Sequence, residues 1–84
     1  KPILLFNHEE VNSRIENLSP LGIGLEIDRV AIIEKGDIFF LKYHCFNRDI
    51  KCVCVFSDVD EKSRHIGAYF TDPENQNLIL THLY

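Results

Sequence analysis

Cysteine, histidine and clustered carboxylates are the residues of this 84-residue chain whose chemistry could ligate a metal or move a proton. Cys52-x-Cys54 places two thiols on one face of a strand. A short turn before Ile50 would bring Cys45 opposite Cys52. Structural zinc takes four ligands, commonly in paired knuckles. His44 would point away from Cys45, and no second knuckle follows, so the cysteines read as small apolar core residues. His8, His44, His65 and His82 are dispersed, and none has a carboxylate or nucleophile at a recognised catalytic spacing. Asp58, Asp60 and Glu61 form an acidic run without the ordered oxygens and glycine of a calcium loop. Gly22 and Gly24 are too closely spaced for a phosphate loop, and no Lys-Ser/Thr follows them. No Gly-x-Ser-x-Gly occurs. The expectation is a protein without metal or cofactor that is not an enzyme.

Composition narrows the class. The chain is 45% hydrophobic and 26% charged, which is globular, and its length suits one domain spanning residues 1–84. A net charge of −4 gives no general attraction for a phosphate backbone, and Lys42, Arg48, Lys51, Lys62 and Arg64 are scattered. Nucleic acid is therefore disfavoured as a partner. Three cysteines without a signal peptide argue for a reducing compartment, hence an intracellular protein of nucleus or cytoplasm. No apolar run approaches the roughly 18 residues of a membrane span. Opening on Lys1 rather than Met reads as a fragment or a trimmed chain.

The elements that must position these residues follow from spacing. Asn7 to Leu18 reads as a helix, with Asn7 and Glu10 as a capping box and Val11, Ile15 and Leu18 on one face. Glu10 and Arg14 add an i,i+4 pair, and Ser19-Pro20 stops the helix. Four strands are expected next, over 25–33, 38–46, 50–57 and 65–70. The first has a parity slip near Asp28-Arg29 that reads as a bulge. Glu34-Lys35-Gly36-Asp37 is read as a hairpin turn, with Gly36 supplying positive φ. Asp72-Pro73-Glu74 reads as a helix start, although 78–84 also fits a fifth strand. The expected fold is α+β: an N-terminal helix, a four-stranded antiparallel β-meander and a short C-terminal helix.

In the registers those turns allow, both faces of the meander carry apolar residues. Phe39, Leu41, Tyr43, Cys45, Cys52, Cys54, Phe56 and Tyr69 fall on one side, with Ile38, Phe40, Val53, Val55, Ile66 and Phe70 on the other. A sheet covered on one side should alternate apolar and polar. Either the helices sandwich this sheet, or it curls into a small barrel around one face, or a partner chain supplies the second layer. The leading reading is a nonenzymatic protein–protein interaction domain, homo- or heterodimeric, with Phe39, Phe40, Phe56, Tyr69 and Phe70 as partner-binding candidates. The alternative is a small nucleic-acid-binding domain stacking bases on Phe39, Tyr43 and Tyr69.

The order helix, meander, Asp-Pro and helix resembles the RWD superfamily, in particular the centromere-facing heads of the outer-kinetochore rod complex. Leu21-Gly22-Ile23-Gly24-Leu25-Glu26-Ile27 is similar to the first strand of those heads. Tyr69, Asp72-Pro73, Leu78 and Leu83 look like their last strand and helix. The cysteine-rich third strand and the shortness of the last segment depart from the pattern. The resemblance implies a kinetochore adaptor that pairs with a related subunit and receives a helical peptide in a sheet-and-helix groove.

Overall fold

In a computed structural model, which describes residues 3–42 and 48–82, the chain is a closed antiparallel barrel. Its strands are β1 (Ile3–Phe6), β2 (Glu9–Leu18), β3 (Gly22–Asp28), β4 (Ile38–Lys42), β5 (Ile50–Val59) and β6 (Ser63–Phe70), followed by helix α1 (Pro73–His82). Around the barrel they run β1-β2-β3-β6-β5-β4, and β4 closes on β1. This all-β architecture replaces the expected α+β meander.

The helix expected over Asn7–Leu18 is instead the turn and second strand of a hairpin. Asn7 and His8 have φ of 52° and 68°, the left-handed pair that matches a tight turn to strand twist. Phe6 then faces Glu9, and Leu4 faces Val11. Val11 and Ile15 lie four apart, an even step that fits a strand as well as a helix. In β2 the half-buried Val11 and Ile15 flank the buried Ser13, while Asn12 and Arg14 face solvent. The odd step from Ile15 to Leu18 is absorbed by a bulge between Ile15 and Asn17. A strand with one bulge thus imitates the helical i, i+4, i+7 pattern.

The meander fails at its first hairpin. β3 pairs with β2 and β6, not with β4. The parity slip after Asp28 marks the end of a strand: Asp28 Oδ1 accepts from the Val30 N–H at 3.1 Å, and the chain leaves the sheet. Residues 29–37 cross the barrel end, where Ile33 is fully buried and its carbonyl accepts from Ser57 Oγ at 2.7 Å. The Glu34–Asp37 turn does form, with Gly36 at φ 94°, but it delivers the chain to the β5 edge. There the Gly36 N–H donates to the Cys54 carbonyl at 2.7 Å, and the Cys54 N–H donates to Asp37 at 2.8 Å.

Inward-facing residues fill the barrel. Leu4, Ile23, Leu25, Ile27, Phe39, Leu41, Ile50, Cys52, Cys54, Ile66, Ala68 and Phe70 are buried together. Phe39, Leu41, Cys52 and Cys54 share a face as their spacing suggests, because Phe39 pairs with Cys52 and Leu41 with Ile50. A second bulge, between Cys54 and Phe56, reverses parity along β5. Phe70 therefore joins Cys52 inside, whereas Phe56 and Tyr69 point out. Helix α1 starts at the expected Asp72-Pro73, with Asp72 Oδ1 accepting from the Glu74 N–H at 2.9 Å. Arg48 pairs with Glu74 at 2.9 Å and ties this end of the helix to the chain entering β5. Tyr43, His44, Cys45 and Leu83, each given a place in the sequence reading, lie outside the described residues. Among the described residues no helix is long and apolar enough to cross a membrane.

The α+β fold implied by the RWD resemblance, with its N-terminal helix, is not the fold of this chain.

Candidate functional site

With the interior filled by side chains, a candidate site has to lie on the outer wall. Three strand pairings set Asn17, Gly24, Gly67 and Phe56 in one row across β2, β3, β6 and β5. The two central members lack side chains, and the result is a groove of about 340 Å³ reaching from Ser19 to His65. Its floor is bare backbone only at Gly67, with Phe56 on one flank and the Asn17 amide lying over Gly24 on the other.

The glycines in and beside this floor are there for different reasons. A Cβ on Gly22 would lie 2.4 Å from the Ala68 carbonyl oxygen, so strand packing alone requires hydrogen there. A Cβ on Gly24 would meet the Asn17 amide nitrogen at 2.7 Å, so this glycine makes room for the asparagine to lie across the sheet. At Gly67 the nearest atom is the Phe56 Cβ at 3.5 Å, an ordinary contact. Nothing in the packing forbids a methyl group at 67, and glycine in a strand interior costs about 0.5–1 kcal/mol relative to alanine. The openness above Gly67 is the property that remains to be explained.

The turn at the Ser19 end is tied down. Ser19 N–H donates to the Gly22 carbonyl at 2.9 Å, and the Gly22 N–H returns a bond to Ser19 Oγ at 3.1 Å. At the other end His65 is held on both ring nitrogens. Nδ1 lies 2.9 Å from Glu16 Oε1, and Nε2 lies 2.8 Å from Asp60 Oδ2. Since each nitrogen faces a carboxylate, both carry protons, and the ring is an imidazolium. The hydrogen bond to Glu16 first, then that to Asp60, raises the His65 pKa to about 9. Asp60 is lowered to about 2, chiefly by the N–H groups of Ser63 and Lys62, then by His65. Beside them Glu26 accepts from Arg14 at 2.9 Å and from Ser63 Oγ at 3.1 Å. Glu16, Glu26 and His65 are the described residues best placed to hold a cation.

Below the glycine row the wall becomes apolar. Tyr69 faces Val53, which faces Ile38, and Phe40 stands two residues along β4. The aromatic candidates of the sequence therefore divide. Phe39 and Phe70 are core residues, 0% and 1% exposed, and cannot touch a partner. Phe40, Phe56 and Tyr69 are 39%, 55% and 46% exposed on the outer wall. Asn17, Gly67 and Glu16 were not among the candidates, and Gly24 and His65 were weighed for other chemistry and set aside. Gly67 alone carried a signal, a glycine inside the strand His65-Ile66-Gly67-Ala68-Tyr69-Phe70.

Cys52 and Cys54, the two described cysteines, are held as protonated thiols. Cys52 is fully buried, and burial pushes its thiol up to about 12. Cys54 is raised by burial too, and its Sγ donates to the Phe56 carbonyl at 3.1 Å. The groove thus offers a short open floor at Gly67, one aromatic flank, one amide, the Ser19 hydroxyl held by Gly22, and a charged head.

Comparison with protein-family models, with curated proteins and with solved structures finds no match to this chain.

Proposed function

We propose that this chain is a nonenzymatic recognition domain that takes a flat ring onto the open backbone at Gly67, between Phe56 and the Asn17 amide that covers Gly24. The observation that carries the reading is Gly67, whose missing side chain is required by no contact of the fold and leaves backbone open beside the exposed Phe56 ring. Aromatic stacking contributes about 1–3 kcal/mol per base, and it needs an unobstructed face. The exposed Asn17 amide on the opposite flank offers a donor and an acceptor to the ring edge, as asparagine does to a purine. A heteroaromatic ring of nucleobase type suits this arrangement. Glu16, Glu26 and Asp60 at the head repel a long polyanion, which favours a small ligand over a nucleic-acid strand.

Titration of the ¹⁵N-labelled chain with purine nucleosides and their monophosphates tests this. The expected result is saturable shifts centred on Gly24, Gly67 and Phe56, lost in a folded Gly67→Val variant. Absence of shifts at millimolar ligand, or shifts unchanged by Gly67→Val, overturns it.

A protein partner is supported by a different observation, the outer strip of exposed Ile38, Phe40 and Tyr69 around the half-buried Val53. In that reading the strip supplies the apolar centre of an interface and Phe40 and Tyr69 its anchors. Phe40→Ser together with Tyr69→Ser should then abolish complex formation while leaving nucleoside shifts intact.

A further inference from the structure

At the charged head of the groove, three strands converge on one point. The potential ligand atoms of Glu16, Glu26 and His65 all lie within 4.8 Å of one another. Glu26 and His65 are direct partners across β3 and β6. Glu16 is the residue at the β2 bulge, and bulges re-aim side chains. Here the carboxylate reaches across β3 to His65, with both oxygens within 3.1 Å of Nδ1. On its far side the imidazole is gripped by Asp60, 2.8 Å from Nε2. Metal-bound histidines almost always give their second nitrogen to a carboxylate, a backbone carbonyl or water, which fixes ring orientation and strengthens the ligand.

We propose that Glu16, Glu26 and His65 bind one divalent transition-metal ion of the zinc type, with His65 ligating through Nδ1 and Asp60 orienting the ring. Imidazole with carboxylates suits zinc, cobalt or nickel better than calcium or magnesium, which prefer oxygen alone. The two glutamates and Asp60, offset by Arg14, leave a net charge of −2 around the imidazole, which a divalent ion neutralises. Glu26 has lone pairs to spare beyond its bonds to Arg14 and Ser63, since a carboxylate offers about four acceptor sites. On binding, the Nδ1 proton leaves to solvent and the metal takes its place; no oxidation or reduction is involved. All three ligands stand on rigid strands, so the site needs no folding step of its own. Three protein ligands also leave one coordination position for solvent or a ligand.

Calorimetric titration of the whole chain with zinc chloride, paired with the visible spectrum of the cobalt form, tests the site. The proposal expects one saturable site per chain and a cobalt spectrum of low coordination number. His65→Gln should weaken binding at least about 100-fold, and Asp60→Asn about 10–100-fold by loss of the orienting carboxylate. Glu26→Gln is a second ligand variant should His65→Gln prove unfolded by circular dichroism. His8→Gln should leave the affinity unchanged. Absence of saturable binding at millimolar zinc overturns the proposal, as does affinity unaltered in Glu26→Gln and Asp60→Asn. These readouts need no ring ligand, so they stand or fall apart from the groove.

Discussion

Phe39 and Phe40 are neighbours in sequence, yet one is fully enclosed and the other is 39% exposed. Phe39→Ala should cost about 3–5 kcal/mol, a large share of the roughly 5–15 kcal/mol typical of a whole domain. Phe40→Ala should cost less, about 1–2 kcal/mol, because part of its ring is already exposed. Chemical denaturation of the two variants measures the contrast directly. The glycines give a second pair. Gly67→Ala should raise stability by about 0.5–1 kcal/mol while weakening ring binding. Gly22→Ala should destabilise by about 1–3 kcal/mol, because the Ala68 backbone oxygen 2.4 Å away cannot yield as a flexible side chain would. A stabilised Gly67→Ala with undiminished ligand shifts would remove the functional meaning of that glycine. Cys52 supplies a pH test. Its folded pKa, about 12, lies above its ordinary 9.0, so the fold favours the protonated thiol. That contribution is full below pH 9 and is lost as pH rises toward 12. Alkylation of Cys52 at pH 8 should therefore be limited by unfolding rather than by thiol chemistry.

At the scale of elements, the β5–β6 hairpin is pinned to β2 by His65. The His65 pKa, about 9 against an ordinary 6.5, means that the clasp is fully formed below pH 6.5 and is lost as pH rises through 9. Asp60 has the opposite sign: its contribution holds above its ordinary 3.8 and is lost as pH falls toward 2. In the metal-free chain, an imidazole NMR titration should show deprotonation near 9, and Glu16→Gln should move it back toward 6.5. A midpoint near 6.5 in the unaltered chain would mean that the clasp does not exist in solution.

The same elements show what was readable in the sequence. β5, β6 and the start of α1 were legible, because the run from Ile50 through Val55, the segment before Phe70 and the Asp72-Pro73 pair each favour one structure strongly. β1 and β2 were not. The positive φ at Asn7 and His8 has no glycine to announce it, and a bulge gave Val11, Ile15 and Leu18 a helical spacing. The second bulge hid which of Phe56, Tyr69 and Phe70 faces out. The groove was illegible for a related reason: its row is assembled from four strands whose pairing depends on β3 meeting β6, far along the chain.

For the whole molecule, closure accounts for much of the apparent excess of apolar residues on both faces. One face is the barrel interior, covered by the opposite wall rather than by a partner. The radius of gyration, 11.8 Å, matches the roughly 12 Å expected of a compact chain of this length. The chain should therefore sediment as a folded monomer at micromolar concentration and unfold in one cooperative transition. Association through the Phe40–Tyr69 strip would be added to that fold and not required by it. Dissociation accompanied by unfolding would contradict this and restore the partner as part of the core.

The pairing of β1 with β4 carries a kinetic consequence. Leu4 leaves the ribosome before Leu41 and must wait for it, just as Leu25 must wait for Ile66. Contacts so distant in sequence form slowly, and until they form both β1 and β4 present unpaired edges. The β4 edge carries Ile38 and Phe40 on its outward side, so the open intermediate is adhesive where the finished barrel is sealed. Removing Ile3–Phe6 would make that intermediate permanent. Such a chain should collect in aggregates during refolding, and dilution should rescue the 84-residue chain far better than the truncated one.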